Sequence, residues 1–301
     1  MPVERLSASE LRSALRIILA SPGSPAAAGR DLVDGFREYL AETPVEWEGL
    51  RCGPPQAPTG LFLALLMPGR TAIVMLPNPG EHGIRASDQL ATTLAGLAGL
   101  GTRGLHYAQV LSESEAGGLR TLLEQVGFRR LTRLVYLDRD AIYPWVEPPS
   151  DVVWTGYSSE THSLFADVVS ATYRDSRDCP ELTGLRPIDD ILASHQASGR
   201  FDPGLWEVAT VNGRAAGCLL LARLPRRSAL ELVYMGVVPE FRRQGIGRLL
   251  LRRAFQQCRI GQIRRLTVVV DDRNEPAKRL YAEFGLTAVA FREAWLYRWK
   301  L

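Results

Sequence analysis

Cysteine is scarce in this chain, and its four copies, Cys52, Cys179, Cys218 and Cys258, stand far apart with no C-x-x-C pair. None has histidines beside it at ligand spacing, so neither a disulfide framework nor a zinc site is indicated, and no metal is expected. Excess charge is lacking too: a formal net charge of +3 over 301 residues is too small to argue for nucleic acid, and the arginines are dispersed through amphipathic helices. Long apolar runs are absent. The longest, Leu61–Met67 and Cys218–Ala222, have the length of strands, well short of the ~18 residues of a membrane span. No secretory leader is read, so a cytoplasmic location with no membrane partner is expected.

What is present suits about two packed domains, since 46% of the 301 residues are apolar. A border is expected at 141–151, where Pro144, Pro148 and Pro149 prevent a regular element; this gives domains 1–140 and 152–301 joined by a proline-rich linker. In the second half the pattern predicts a strand at Val152–Thr155 and helices at Glu160–Tyr173 and Ile188–Ala197. A hairpin of Trp206–Val211 and Ala215–Ala222 turns on Asn212–Gly213. A strand at Ala229–Val238, a helix from Gln244, a strand at Leu266–Val270, a helix from Glu275 and two final strands around Ala288 and Leu296 complete it.

The most informative stretch joins the strand ending at Val237–Val238–Pro239 to the helix carrying Leu249, Leu250, Leu251 and Phe255. Between them lie Arg242, Arg243, Gln244, Gly245, Ile246, Gly247 and Arg248. Glycines at alternate positions let backbone N–H groups approach a ligand, and the helix N-terminus adds partial positive charge, so an anion such as pyrophosphate fits. A Walker A loop is excluded because Arg248 and Leu249 follow Gly247, and a dinucleotide fingerprint because its third glycine position is Leu250. Downstream, Asn274 can cap a helix with Pro276 in its first turn. Ala277, Leu280, Tyr281 and Phe284 share one face, and Gly285 ends it.

Arginine, two positions, glycine, one position, glycine, followed by asparagine, two positions, alanine, then leucine and tyrosine before a glycine, resembles the two signatures of the GNAT superfamily of acyltransferases. The resemblance implies an α/β fold of two GNAT-like domains, each a mixed, mostly antiparallel central sheet with a splayed strand pair and flanking helices. It implies an acyl-CoA-dependent N-acetyltransferase moving an acetyl group from acetyl-CoA to a primary amine, a small molecule or a peptide, by direct transfer in a ternary complex. The cofactor would lie on Arg242–Arg248, on strand N–H groups at Met235, Gly236, Val237 and Val238 that polarise the thioester carbonyl, and on Asn274, Ala277 and Tyr281. A bulge near Gly236 would free the strand groups. Tyr281 would assist the departing thiolate. Glu231, placed by strand alternation on one face with Val233, Met235 and Val237, would accept the amine proton. The polar connection Tyr173–Glu181, with Tyr173, Arg174, Asp175 and Asp178, would meet the acceptor; His162 and His195 lie nearby on helices. A non-catalytic acyl-CoA sensor is the alternative, and oligomeric state is not legible.

The first half repeats this succession with the chemistry removed. Gly127–Phe128 matches Gly285–Leu286, Leu119–Val126 matches Ala277–Phe284, and Pro79 matches Pro239. His82, Arg85 and Ser87 then replace Arg242, Gly245 and Gly247, while Leu123 replaces Tyr281. A degenerate GNAT-like domain is the reading. Tandem architecture also occurs among the mycothiol-forming acetyltransferases.

Overall fold

The computed structural model describes residues 2–19, 33–36, 45–113, 117–142 and 152–299. They form two compact units, one of Met1–Leu131 with Glu293–Leu301 and one of Thr132–Arg292. The first unit runs β1 (Val3–Arg5), α1 (Leu11–Ile18), β2 (Glu46–Cys52), β3 (Gly60–Met67), β4 (Thr71–Met75), α2 (Ala86–Gly101), β5 (Tyr107–Ser112) and α3 (Gly117–Val126). Strands β1 to β4 are antiparallel in turn, and β5 returns through α2 to lie parallel to β4. Its core packs Phe62, Val74, Leu97, Leu100, Val110 and Leu123.

The second unit contains β6 (Arg129–Asp140), β7 (Val152–Gly156), α4 (His162–Tyr173), α5 (Ile188–Gln196), β8 (Trp206–Val211), β9 (Arg214–Leu224) and β10 (Ala229–Val237). It continues with α6 (Ile246–Ile260), β11 (Arg265–Asp271), α7 (Glu275–Glu283) and the start of β12 (Thr287–Tyr297). Strands β7 to β10 are antiparallel in turn and β11 is parallel to β10. The hairpin between β8 and β9 turns on Asn212 and Gly213 with φ of 49° and 75°, the positive pair a type I′ turn needs. Gly285 leaves α7 at φ 74°.

Each unit is closed by an antiparallel strand from the other end of the sequence. Glu293–Tyr297 of β12 pairs with β5, and β6 pairs with β11 from Leu134 to Asp140. Within the units the orders are therefore β1-β2-β3-β4-β5-β12 and β7-β8-β9-β10-β11-β6, the same succession twice. The border falls inside β6 and inside β12. Of the proline-bearing stretch 141–151, residues 143–151 lie outside the described residues. The two final strands expected around Ala288 and Leu296 are one continuous strand of 11 residues, because no glycine or proline interrupts Thr287–Tyr297.

In the second unit the sheet buries two faces. Leu219, Leu221, Leu230 and Leu232 pack with Leu250, Leu251, Phe255 and Phe284 from α6 and the end of α7. Cys218, Leu220, Trp206 and Val208 pack with Phe165, Val169 and Leu192 from α4 and α5. Between Leu232 and Tyr234 the register against β9 shifts, which makes Val233 a bulge. The extra residue resets the alternation, so Glu231 shares its face with Tyr234 and Gly236 and not, as strict alternation predicts, with Val233, Met235 and Val237.

Candidate functional site

The bulge marks the point where β10 and β11 part. Their parallel pairing runs from Ala229–Arg265 to Leu232–Val268 and stops, while β10 continues along β9 to Val237–Gly217. The Val238 N–H donates to the Ala216 carbonyl at 3.0 Å. Counting back by twos, the Gly236 N–H also points to β9, and those of Met235 and Val237 point to the side that β11 has left. Of the four backbone positions expected to face a ligand, Met235 and Val237 have their N–H groups on the open side, while Gly236 and Val238 are committed to the sheet. Gly236 is not the bulge. A Cβ there would stand 2.5 Å from Thr172 Oγ1, so glycine lets α4 close on the strand.

Beyond β10 a single turn at Pro239–Phe241 leads into the glycine loop. Arg243 and Gly245 take positive φ, 63° and 85°, and Gly245 caps α6. The first helical bond runs from the Leu249 N–H to the Gly245 carbonyl at 3.1 Å, which leaves the preceding N–H groups at the helix mouth. A Cβ on Gly245 would meet nothing within 4 Å, so the cradle is open on that side, and it fits an anionic group such as a pyrophosphate. The side chains of Arg242, Gln244 and Arg248 are occupied otherwise. The Arg242 guanidinium donates to the carbonyls of Val237, Thr172, Arg174 and Asp175 at 2.6–3.4 Å, tying the loop to the C-terminus of α4. Gln244 Nε2 donates to the Glu240 carbonyl at 2.8 Å, and Arg248 forms a two-pronged pair with Glu283 at 3.0 Å. The loop thus leaves backbone at the helix mouth and spends Arg242 on structure.

Helix α7 meets this mouth: a Cβ on Gly247 would lie 3.2 Å from Leu280 Cδ2. Asn274 caps α7 by accepting from the Ala277 N–H at 3.3 Å. Ala277 is half-buried and Tyr281 is buried, in one cluster with Met235, Val237 and Ile246. Burial, then the charge of Asp178, pushes the Tyr281 hydroxyl well above its ordinary range, and no hydrogen bond offsets the effect. At neutral pH it is a donor.

Glu231 sits where β10 is still paired on both sides, opposite Ala222 and Thr267. Burial raises its carboxyl, only partly countered by Arg227. On the same face further along, the Tyr234 hydroxyl meets Thr172 Oγ1 at 2.8 Å, and the ring stacks on His195 with centroids 5.3 Å apart. Tyr173 approaches the His195 Nε2 at 3.4 Å. Burial and Arg186 lower His195 to about 4, so it is neutral. His162 is engaged by Tyr157 at 2.9 Å and Asp189 at 3.1 Å. Arg174 pairs with Glu240 on the surface.

The connection between α4 and α5 is clasped to the end of β11 by a reciprocal pair. Asp178 Oδ1 accepts the Asp271 N–H at 3.1 Å, and Asp271 Oδ2 accepts the Cys179 N–H at 3.0 Å. Asp271 has no exposed surface, yet it is held down to about 2: against its burial stand Arg273, through side chain and backbone, Thr132 and the Cys179 N–H. Arg273 in turn grips Glu181 at 2.6 and 2.9 Å. The sequence reading leaves Asp178 as one of several loop residues and does not single out Asp271 or Arg273. Their only local signal is a charged run between a β-branched strand and a helix cap.

In the first unit the corresponding mouth is built differently. Arg85 caps α2 in an extended conformation, with its N–H on the Thr59 carbonyl at 2.8 Å, and Ile84 fills the turn, 2% exposed. Asp88 places a carboxylate in the first turn of α2, and Leu123, which the sequence match sets against Tyr281, is buried on α3. Among the described residues no helix is long and apolar enough to cross a membrane, and no group of three His, Cys, Asp or Glu side chains could hold a metal.

Comparison with known proteins places this geometry. The model of the "Acetyltransferase (GNAT) family" matches residues 169–286. A mycothiol acetyltransferase of Beutenbergia cavernae is 28% identical over 58% of this chain and 61% of its own length, so the match spans less than two thirds of that relative. Among solved structures, a GCN5-related N-acetyltransferase from Sphaerobacter thermophilus shares the fold with a TM-score of 0.66 at 15% identity, covering 99% of this chain and 95% of the other. A tandem GNAT protein from the clavulanic acid biosynthesis pathway does so with a TM-score of 0.57 at 15% identity, covering 99% and 98%. The stretch that matches the acetyltransferase (GNAT) family model, residues 169–286, holds the end of α4, the bulged strand, the glycine loop and Tyr281.

Proposed function

We propose that this chain transfers an acetyl group from acetyl-CoA directly to a primary amine, with Thr132–Arg292 the working unit and the other a degenerate one. The observation that carries the reading is the parting of β10 and β11 at Val233, with the mouth of α6 and Tyr281 in one cluster with Met235 and Val237. In that setting the N–H groups of Met235 and Val237 are aimed to stabilise charge on the thioester oxygen. The backbone of Arg243–Gly247 holds the pyrophosphate, and Tyr281 donates to the sulfur as the carbon–sulfur bond breaks. Burial and the charges of Asp178 and Asp271 push the Cys179 thiol up, so it is a poor nucleophile, which favours direct attack by the amine over an acyl-enzyme. The likeness to a mycothiol acetyltransferase favours a small-molecule acceptor. A screen of amines with acetyl-CoA, reading released thiol, tests the reading: turnover of an amine supports it, and tight acetyl-CoA binding without turnover of any amine makes the chain a sensor.

Glu231 lies on the α4 and α5 side of the sheet and is assigned the amine proton, directly or through water. An ordinary primary amine, with a pKa of ~10.4, is almost wholly protonated at neutral pH and cannot attack. Glu231→Gln is expected to depress the rate near neutrality and to recover partly as pH approaches the pKa of the amine. A parental pH profile in that variant would hand the proton to another group.

One acetyl-CoA site per chain is expected by calorimetric titration. In the first unit Asp88 puts a carboxylate in the first turn of α2, whose charge opposes a pyrophosphate at that helix N-terminus. A stoichiometry of two would end the degenerate reading.

A further inference from the structure

Asp178 and Asp271 are neighbours with opposite circumstances. Asp271 is paired with Arg273 at 2.7 Å and accepts from Thr132, Cys179 and the Arg273 backbone, so its charge is fully compensated. Asp178 has the Asp271 N–H and the Asn274 side chain, and among the described residues it forms no ion pair. Arg273, whose charge reaches it, is divided between Asp271 and Glu181. A largely buried carboxylate is ordinarily ion-paired or neutral, because the charge loses its water without a counter-charge to replace it. Here burial and the Asp271 charge hold the carboxyl up, and the field of Asp178 reaches both Tyr281 and Tyr234. The carboxylate is held by its clasp to β11 and by Asn274, the cap of the helix that carries Tyr281. The missing partner is a cation, and the proposed reaction brings one.

We propose that Asp178 is the subsite that receives the ammonium group of the acceptor, holding it before Tyr281 until it is deprotonated. The inference rests on the amine-acetylating reading and adds the residue that selects a cationic acceptor over an uncharged one. Arg273 and Glu181 are positioning residues for it, since they fix the loop that carries Asp178.

The test uses Asp178→Asn, which keeps an oxygen for the Asp271 N–H and removes the charge. Amide-detected NMR titrations with propylammonium chloride, and with propanol as its uncharged counterpart, are run on wild type and variant beside steady-state kinetics for amines found in the screen. The wild type is expected to bind the ammonium probe in preference to propanol, with shifts at 176–181 and 271. The variant is expected to lose at least ~10-fold in ammonium affinity and to raise the KM for amine by ~10–10², with a smaller change in kcat and no change in acetyl-CoA affinity, as for a lost charged hydrogen bond. Equal ammonium affinity or equal KM in a folded variant overturns the proposal, as does a wild type that does not distinguish propylammonium from propanol. If the variant does not fold, the place of the wild-type shifts decides, and shifts elsewhere refute it. Asp178-dependent ammonium binding without turnover would sink the acetyl-transfer reading and leave this subsite standing; turnover with an unchanged KM in the variant would do the reverse.

Discussion

Gly245→Asp is expected to abolish acetyl-CoA binding, by roughly 10³-fold in Kd, while the protein stays folded. The space is open, because a Cβ at this position meets nothing within 4 Å. Two effects then act. The first is conformational, since φ is 85° and a side chain there is strained. The second is electrostatic: a carboxylate about 4 Å from a phosphate charge costs about 4 kcal/mol at a protein-surface dielectric, which is roughly 10³ in affinity. Gly245→Asn separates them, because asparagine visits positive φ more readily than other residues and has the shape of aspartate without its charge. Calorimetry should find a modest loss for Asn and a near-complete one for Asp. Equal affinities for wild type and the Asp variant would show that no anion sits at this mouth and would remove the basis of the cofactor assignment.

Tyr281→Phe is expected to lower turnover by ~10²-fold or more with acetyl-CoA affinity nearly unchanged, the size of a general-acid contribution. The raised hydroxyl makes full proton transfer to a thiolate, with a reference pKa of ~8.5, uphill. A strong hydrogen bond to the developing charge is therefore the larger share. Full activity in the variant would reduce Tyr281 to a packing residue and leave the cofactor site untouched.

The elements that were legible in sequence are those whose ends carry their own chemistry. Asn212–Gly213 makes a positive-φ turn, Asn274 caps a helix, and Gly245 and Gly285 sit where only a left-handed residue fits. The bulge at Val233 was not legible. The run from Glu231 to Val238 alternates smoothly, and an extra residue is seen only in the register against β9, which moves Glu231 to the other face. The environment of Asp178 was equally hidden, because its meaning comes from Asp271, 93 residues later, and from Arg273 being paired with Asp271 and Glu181. The exchange of closing strands leaves no local trace, since β6 and β12 read as ordinary strands wherever their partners lie.

That exchange has a consequence for how the chain is made. The unit whose residues leave the ribosome first lacks its sixth strand until Glu293–Tyr297 emerges, after every strand of the other unit, and it must wait with the outer edge of β5 unpaired. The unit synthesised second has its closing strand, β6, ready before any of its other strands exist. Birth order and completion order are thus inverted. A gene cut between residues 140 and 152 would yield one fragment with an open edge and another missing the strand that flanks β11, beside the clasp that holds Asp178.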